Sequence, residues 1–284
     1  MTNKILLQTN RIQAVDILRG LIMVLMAIDH VRVYSGLPAG GPDPGIFFTR
    51  WITHFCAPGF AFFAGTSAFL YGQRLDNKAA LSRFLLLRGL LLVILELTLI
   101  RFFWTFNLNL QNFMLAGGIW MLGWCMVLLS ALVYLKPKVV GVIGVLVIFL
   151  QQAFQFFPKI LPASLAEWIG PFWEFVYPSG FDGVAGIAIL YVIVPWVGVM
   201  AAGYGFGVIL LLDEAKRRRL CYWIGWSAIA LFIIVGSVLI FTQAASADGP
   251  GFIFQLLNQK KYPASQLYLL MTLGPLIALT PFAD

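Results

Sequence analysis

The chain has 284 residues, of which 61% are hydrophobic and only 11% charged, with a formal net charge of +7. That balance lies outside the range of water-soluble domains and leaves no segment that reads as one. The positive excess does not mark a nucleic-acid binder, because the Lys and Arg residues sit in short connections beside apolar runs, where they orient a membrane protein.

In chain order, a polar start over 1–13 leads into a first predicted span over about 14–34, too long and too charged for a signal-peptide core. Further apolar runs predict spans at about 51–73, 84–104, 112–135, 139–157, 184–212, 220–242 and 265–282. The fold class expected is therefore all-α: a polytopic transmembrane helix bundle of about eight spans, forming a single domain over 1–284. Cys56, Cys125 and Cys221 fall in or at the ends of apolar runs without metal or redox spacing, and read as small buried hydrophobes.

Basic residues cluster on alternate connections. Lys4 and Arg11 precede the first span, Arg74, Lys78 and Arg83 follow the second, Lys136 and Lys138 the fourth, and Lys216, Arg217, Arg218 and Arg219 the sixth. The other connections carry fewer: Arg32, Arg50, Lys159, Lys260 and Lys261. The positive-inside rule then puts the N-terminus in the cytoplasm and the protein in the cell (inner) membrane as a multi-pass chain. The longest connection on the far side, about 158–183, mixes Trp168, Trp173 and Tyr177 with Glu167, Glu174 and Asp182; it reads either as a folded lid or as an aromatic belt.

The first span carries Asp16, Arg19, Asp29 and His30, although a charge near the bilayer centre costs about 2.5–3.5 kcal/mol. Arg19 and His30 are eleven residues apart, about 1100° of turn and about 16 Å of rise, so they share a face to within roughly 20°. A guanidinium near the cytoplasmic mouth and an imidazole deeper in suit an extended anionic donor. Asp16 and Arg19 fit equally well as a structural i,i+3 ion pair. His30 is the group suited to accept a proton near neutral pH, with Asp29 or a carboxylate from another span to fix its tautomer.

Span two places His54 ahead of Pro58, Gly59, Gly65, Thr66 and Ser67. This pattern predicts a kink and close helix approach, with His54 a weaker candidate for the same cavity. Span three begins with Arg83 and Arg88 and contains Glu96, whose partner is expected on another span because Arg88 lies about 12 Å away along the axis. Span six holds Pro195, Gly198, Gly203, Gly205 and Gly207, a composition that also occurs in broken transporter helices.

Val15-Asp16-Ile17-Leu18-Arg19-Gly20, the Met23-Val24 segment, and Pro58-Gly59-Phe60-Ala61-Phe62-Phe63-Ala64-Gly65-Thr66-Ser67 together resemble the catalytic domain of heparan-alpha-glucosaminide N-acetyltransferase and its bacterial relatives. Asp29-His30-Val31-Arg32, Arg50-Trp51-Ile52-Thr53-His54-Phe55, and Pro195-Trp196-Val197-Gly198-Val199-Met200 with Gly203-Tyr204 extend the likeness over most of the chain. The Arg19 and His30 pair also resembles the arginine and histidine signature of the wider transmembrane acyltransferase superfamily. Two departures stand out. Ala27 and Pro38 occupy positions where the lysosomal enzyme has its active-site asparagine and histidine, and relatives continue through more spans, so a C-terminal truncation at Asp284 stays open.

The resemblance implies a membrane-bound acyltransferase that takes an acyl group, acetyl first among them, from cytoplasmic acetyl-CoA or another acyl-CoA. The acceptor would be a hydroxyl or amine on a small molecule or glycan at the far side. In that mechanism His30 is the general base, assisted by Asp29 or Glu96, with His54 lining the cavity, and Arg19, Arg83 and Arg88 attract the coenzyme A phosphates. No metal is expected. Membrane lipids are the other partners, nucleic acid is not one, and an oligomer is left open. The alternative is a proton-coupled transporter using His30, Asp29 and Glu96 as a relay; a membrane scaffold without turnover is a third reading.

Overall fold

The computed structural model describes residues 13–36, 43–75, 77–107, 114–242 and 251–283. Lys4, Arg11, Pro38 and the expected start of the fourth span at Asn112 lie outside the described residues.

Helix α1 runs Gln13–Tyr34, α2 Pro44–Thr53, α3 Cys56–Gly72 and α4 Lys78–Leu95, which continues through a π-helical turn, Glu96–Ile100, into α5, Arg101–Thr105. Strand β1, Met114–Ala116, leads to α6, Gly118–Leu132, and α7, Pro137–Leu150, which tightens into a 3₁₀ turn, Gln151–Phe156. After α8, Ala163–Trp173, come strand β2, Ile187–Ile189, and α9, Trp196–Leu210. The chain closes with α10, Glu214–Thr242, α11, Phe252–Leu257, and α12, Gln266–Leu279.

Local chemistry sets several starts. Asp43 accepts the Ile46 N–H at 3.0 Å ahead of Pro44, and Asn77 accepts that of Ala79 at 2.8 Å. Pro137 opens α7, where its missing N–H costs nothing, and Ser265 accepts from Tyr268 N at 3.1 Å at the start of α12.

The fold is 77% helical and nearly all-α. Among the described residues three helical stretches, Pro44–Gly72, Pro137–Phe156 and Glu214–Thr242, are long and apolar enough to cross a membrane, and Gly118–Leu132, Trp196–Leu210 and Gln266–Phe282 are shorter apolar helices. Helix α1 falls outside both groups although its 22 residues span about 33 Å, because Asp16, Arg19, Asp29 and Arg32 interrupt its apolar run.

Two expected spans begin later than the apolar runs suggest. Residues 114–116 and 187–189 pair as a short parallel ladder, Met114 opposite Ile187, Leu115 opposite Ala188 and Ala116 opposite Ile189. The run before Pro195 is rich in β-branched residues and ends at a proline, which disfavours helical backbone just before it, so helix begins only at Trp196. From there α9 passes through Gly198, Gly203, Gly205 and Gly207 without a break.

The chain forms two compact units, residues 1–63 with 209–284, and residues 64–208. In the first, α1 packs on α2, and α10 on α11 and α12. A Cβ on Gly225 would lie 2.7 Å from Cβ of Ala278, so these two helices approach at backbone distance.

In the second unit α4 packs on α6 through Gly89 and Gly123, each facing the other's carbonyl oxygen at 2.6 Å from an added Cβ. Helix α9 meets α7 where Gly198 faces Gly144 and Gly205 faces Gly141. The glycines of span six therefore serve close packing. Thr66 Oγ1 donates to the Gly203 carbonyl at 2.9 Å, and Gly65 abuts the Met200 carbonyl, so the small residues of span two are packing residues too.

The 158–183 segment is folded. Trp173 stacks on Phe157 at 4.2 Å and donates its indole N–H to the Phe154 carbonyl at 2.9 Å. Glu174 Oε1 accepts from Ser179 N and Oγ, Gly180 N and Phe181 N, while Trp168 remains exposed. All three cysteines are buried, and none forms a disulfide among the described residues.

Candidate functional site

The residues of chemical interest in the first unit gather where α1 ends and where α2 passes into α3. Asp29 lies on the face of α1 that also buries Leu18, Ile22 and Arg32. Its Oδ1 accepts from Arg32 Nη2 at 2.9 Å, three residues on, and from Thr53 Oγ1 at 3.0 Å, twenty-four residues on. Thr53 Oγ1 is also 2.8 Å from the Arg50 carbonyl, so its single proton is shared between two acceptors. Arg32 reads from sequence as a loop cation; the structure instead makes it the buried counter-ion of Asp29.

The Asp29 to Thr53 bond joins two neighbouring pairs, Asp29-His30 and Thr53-His54. His30 is half-buried, and its Nδ1 lies 2.8 Å from the Met26 carbonyl one turn back. A carbonyl only accepts, so Nδ1 carries the proton and Nε2 is the nitrogen able to take one. The tautomer is thus set by the Met26 backbone, while Asp29 is engaged by Arg32 and Thr53.

His54 is only 4% exposed, and its Nδ1 has no hydrogen-bond partner among the described residues. It lies in the fields of Lys261, Arg50 and Asp29, with its ring centroid 5.4 Å from that of Tyr268. The helix breaks at His54 and Phe55, just ahead of Pro58, where the sequence predicts a kink.

Arg19 is exposed on α1 and Asp16 half-buried. At 100° per residue Arg19 and His30 share a face, on the flank of the buried stripe that carries Asp29.

In the second unit, Glu96 finds its partner on another helix, as expected, but that partner is backbone. Oε2 accepts the N–H groups of Ile119 at 3.0 Å and Trp120 at 3.2 Å, in the first turn of α6. A carboxylate there satisfies orphan donors and meets the positive end of the helix dipole. Gly117 leaves room for it, since a Cβ would collide with Glu96 Oε1. The π-helical turn starts at Glu96, and Arg101, buried just beyond it, donates to the Asn107 carbonyl at 2.9 Å.

Arg83 and Arg88 are exposed on α4. Arg83 helps line an open groove of about 530 Å³ with Asn77, Ala79, Ala80, Phe84 and Leu87, and Arg88 lies 4.5 Å over the Phe84 ring. Among the described residues no three His, Cys, Asp or Glu side chains gather as a metal would require.

Thr53, Arg32 and Tyr268 are the contributors that a residue-by-residue reading passes over. Pro58, four residues after His54, is the signal in the sequence, since it leaves the His54 carbonyl without its helical donor.

A family model described as heparan-alpha-glucosaminide N-acetyltransferase, catalytic, matches residues 11–243. No curated protein and no solved structure matches the chain.

Proposed function

The chain belongs to the heparan-alpha-glucosaminide N-acetyltransferase catalytic family, and on that premise we propose that it is a membrane acyltransferase moving an acyl group, acetyl first among them, from acyl-CoA to a hydroxyl or amine acceptor. The acceptor is a small molecule or glycan, and transfer runs from a cytoplasmic donor to the far side of the inner membrane. One observation carries this reading: the hydrogen bond from Thr53 to Asp29, which ties the two histidine-bearing turns of the chain together within the matched region.

In the proposed reaction His30 Nε2 accepts the proton of the acceptor O–H or N–H as that atom attacks the thioester carbonyl. The C–O or C–N bond forms, the C–S bond breaks, and the proton passes from the imidazolium to the departing coenzyme A thiolate. His30 suits this because it is partly accessible and its tautomer is fixed by Met26. Asp29, braced by Arg32 and Thr53, holds the C-terminal turn of α1, and buried His54 offers an open ring nitrogen beside it. Arg19, accessible on α1, is the cation proposed for the donor's phosphates through charge-assisted contacts. Glu96 supports the second unit as the cap of α6. The glycines of α9 pack an unbroken helix, so the feature that suggested a transporter has a structural explanation.

The test is acyl transfer by purified protein in lipid, supplied with labelled acetyl-CoA and a panel of sugar and amine acceptors. Acceptor-dependent release of coenzyme A is expected. Arg19→Ala should raise KM for acetyl-CoA, and His30→Ala should lower kcat by roughly 10²–10⁴ at unchanged donor binding. No donor binding by the parent protein overturns the reading, as does full turnover in His30→Ala.

A further inference from the structure

Pro58 has no N–H, so in the helix that starts at Cys56 the carbonyl of His54 lacks the donor it would meet four residues on. A buried carbonyl left in this way needs another partner. That partner is the Tyr268 hydroxyl, which donates to His54 O at 2.7 Å from a fully buried position on α12.

A second tie lies one turn along on each helix, where the Trp51 indole N–H meets Met271 Sδ at 3.2 Å. The carbonyl held by Tyr268 belongs to the residue after Thr53, whose hydroxyl reaches Asp29. Both ties come from α12, and residues 266–279 lie beyond the 11–243 match.

We propose that Tyr268 is a positioning residue whose hydroxyl stands in for the amide that Pro58 lacks, fixing the Thr53–His54 turn against Asp29. The C-terminal helix is thereby part of the site although it falls outside the family match. The inference rests on the acyl-transfer reading for its effect on turnover, but not for its effect on His54.

The experiment compares full-length Tyr268→Phe, Pro58→Ala and the Pro58→Ala/Tyr268→Phe double variant in lipid, with ring-labelled histidine. The chain has two histidines, so ring resonances reduce to His30 and His54, assigned with His30→Gln. In Tyr268→Phe the His54 resonance and its titration should shift while those of His30 stay, and kcat should fall roughly five- to tenfold at constant KM for acetyl-CoA, the size of one lost hydrogen bond. The Pro58→Ala substitution supplies the missing N–H, so the double variant should recover His54's parental resonance and much of the turnover.

An unchanged His54 resonance in Tyr268→Phe overturns the proposal, and so does a double variant no better than Tyr268→Phe. If Tyr268→Phe does not fold, recovery of a folded protein by Pro58→Ala supports the proposal and failure to recover it overturns it. Absence of acyl transfer in the parent sinks the functional reading alone, because the histidine resonances still decide the role of Tyr268.

Discussion

Replacing Glu96 separates a helix cap from a reacting carboxylate. In Glu96→Ala the N–H groups of Ile119 and Trp120 lose the oxygen they share at 3.0 and 3.2 Å, and the start of α6 loses the negative charge that complements its dipole. Each orphaned donor costs about 1–3 kcal/mol when buried, and Trp120 is buried whereas Ile119 is only partly so. The sum is about 2–4 kcal/mol. At about 2–4 °C per kcal/mol for a chain of this order, the melting temperature should fall by roughly 5–15 °C.

Glu96→Gln keeps an acceptor oxygen in nearly the same place and should recover most of that loss, leaving turnover within about threefold of the parent. The assay is thermal unfolding of lipid-reconstituted protein followed by far-UV circular dichroism, paired with turnover at a temperature where every variant is folded. A Glu96→Ala protein that melts like the parent would refute the capping argument, and a Glu96→Gln protein that melts like the parent but turns over more than a hundredfold more slowly would return Glu96 to the chemistry.

Thr53→Val keeps the shape of the side chain but removes the hydroxyl from Asp29, so turnover should fall several-fold for about 1 kcal/mol of lost stability, and Thr53→Ser should restore it; kinetics of the pair checks this. Gly65→Ala drives a Cβ into the rigid Met200 carbonyl, whereas Gly207→Ala meets the movable ring of Phe69, so heat denaturation should show the first variant losing about 1–3 kcal/mol and the second less. The Asp213 carboxyl, exposed at the start of α10, is held below its ordinary range by hydrogen bonds from Lys216. A depressed carboxylate stabilises only above its unfolded pKa, so its small contribution should disappear as pH falls below about 4, and Asp213→Asn should melt slightly below the parent at pH 7 and together with it in acid, where the parent's carboxyl is also neutral.

The sequence by itself determined what depends on local periodicity and composition. It established a mostly helical chain with apolar runs of membrane-crossing length, the shared face of Arg19 and His30, the kink before Pro58 and the burial of the three cysteines. These follow from neighbours within one or two helical turns. It also carried the family, since the motifs that resemble it lie within residues 11–243.

Tertiary structure alone decided which groups meet. Asp29 finds Thr53 across 24 residues, Glu96 finds the start of α6 across 23, and the His54 carbonyl finds Tyr268 across 214. Apolar runs likewise concealed the β1 and β2 ladder, because hydrophobicity reports burial from water and not the backbone conformation adopted there. A polar group in an apolar setting announces that it needs a partner; only the packing of helices that are remote in sequence determines which one it receives.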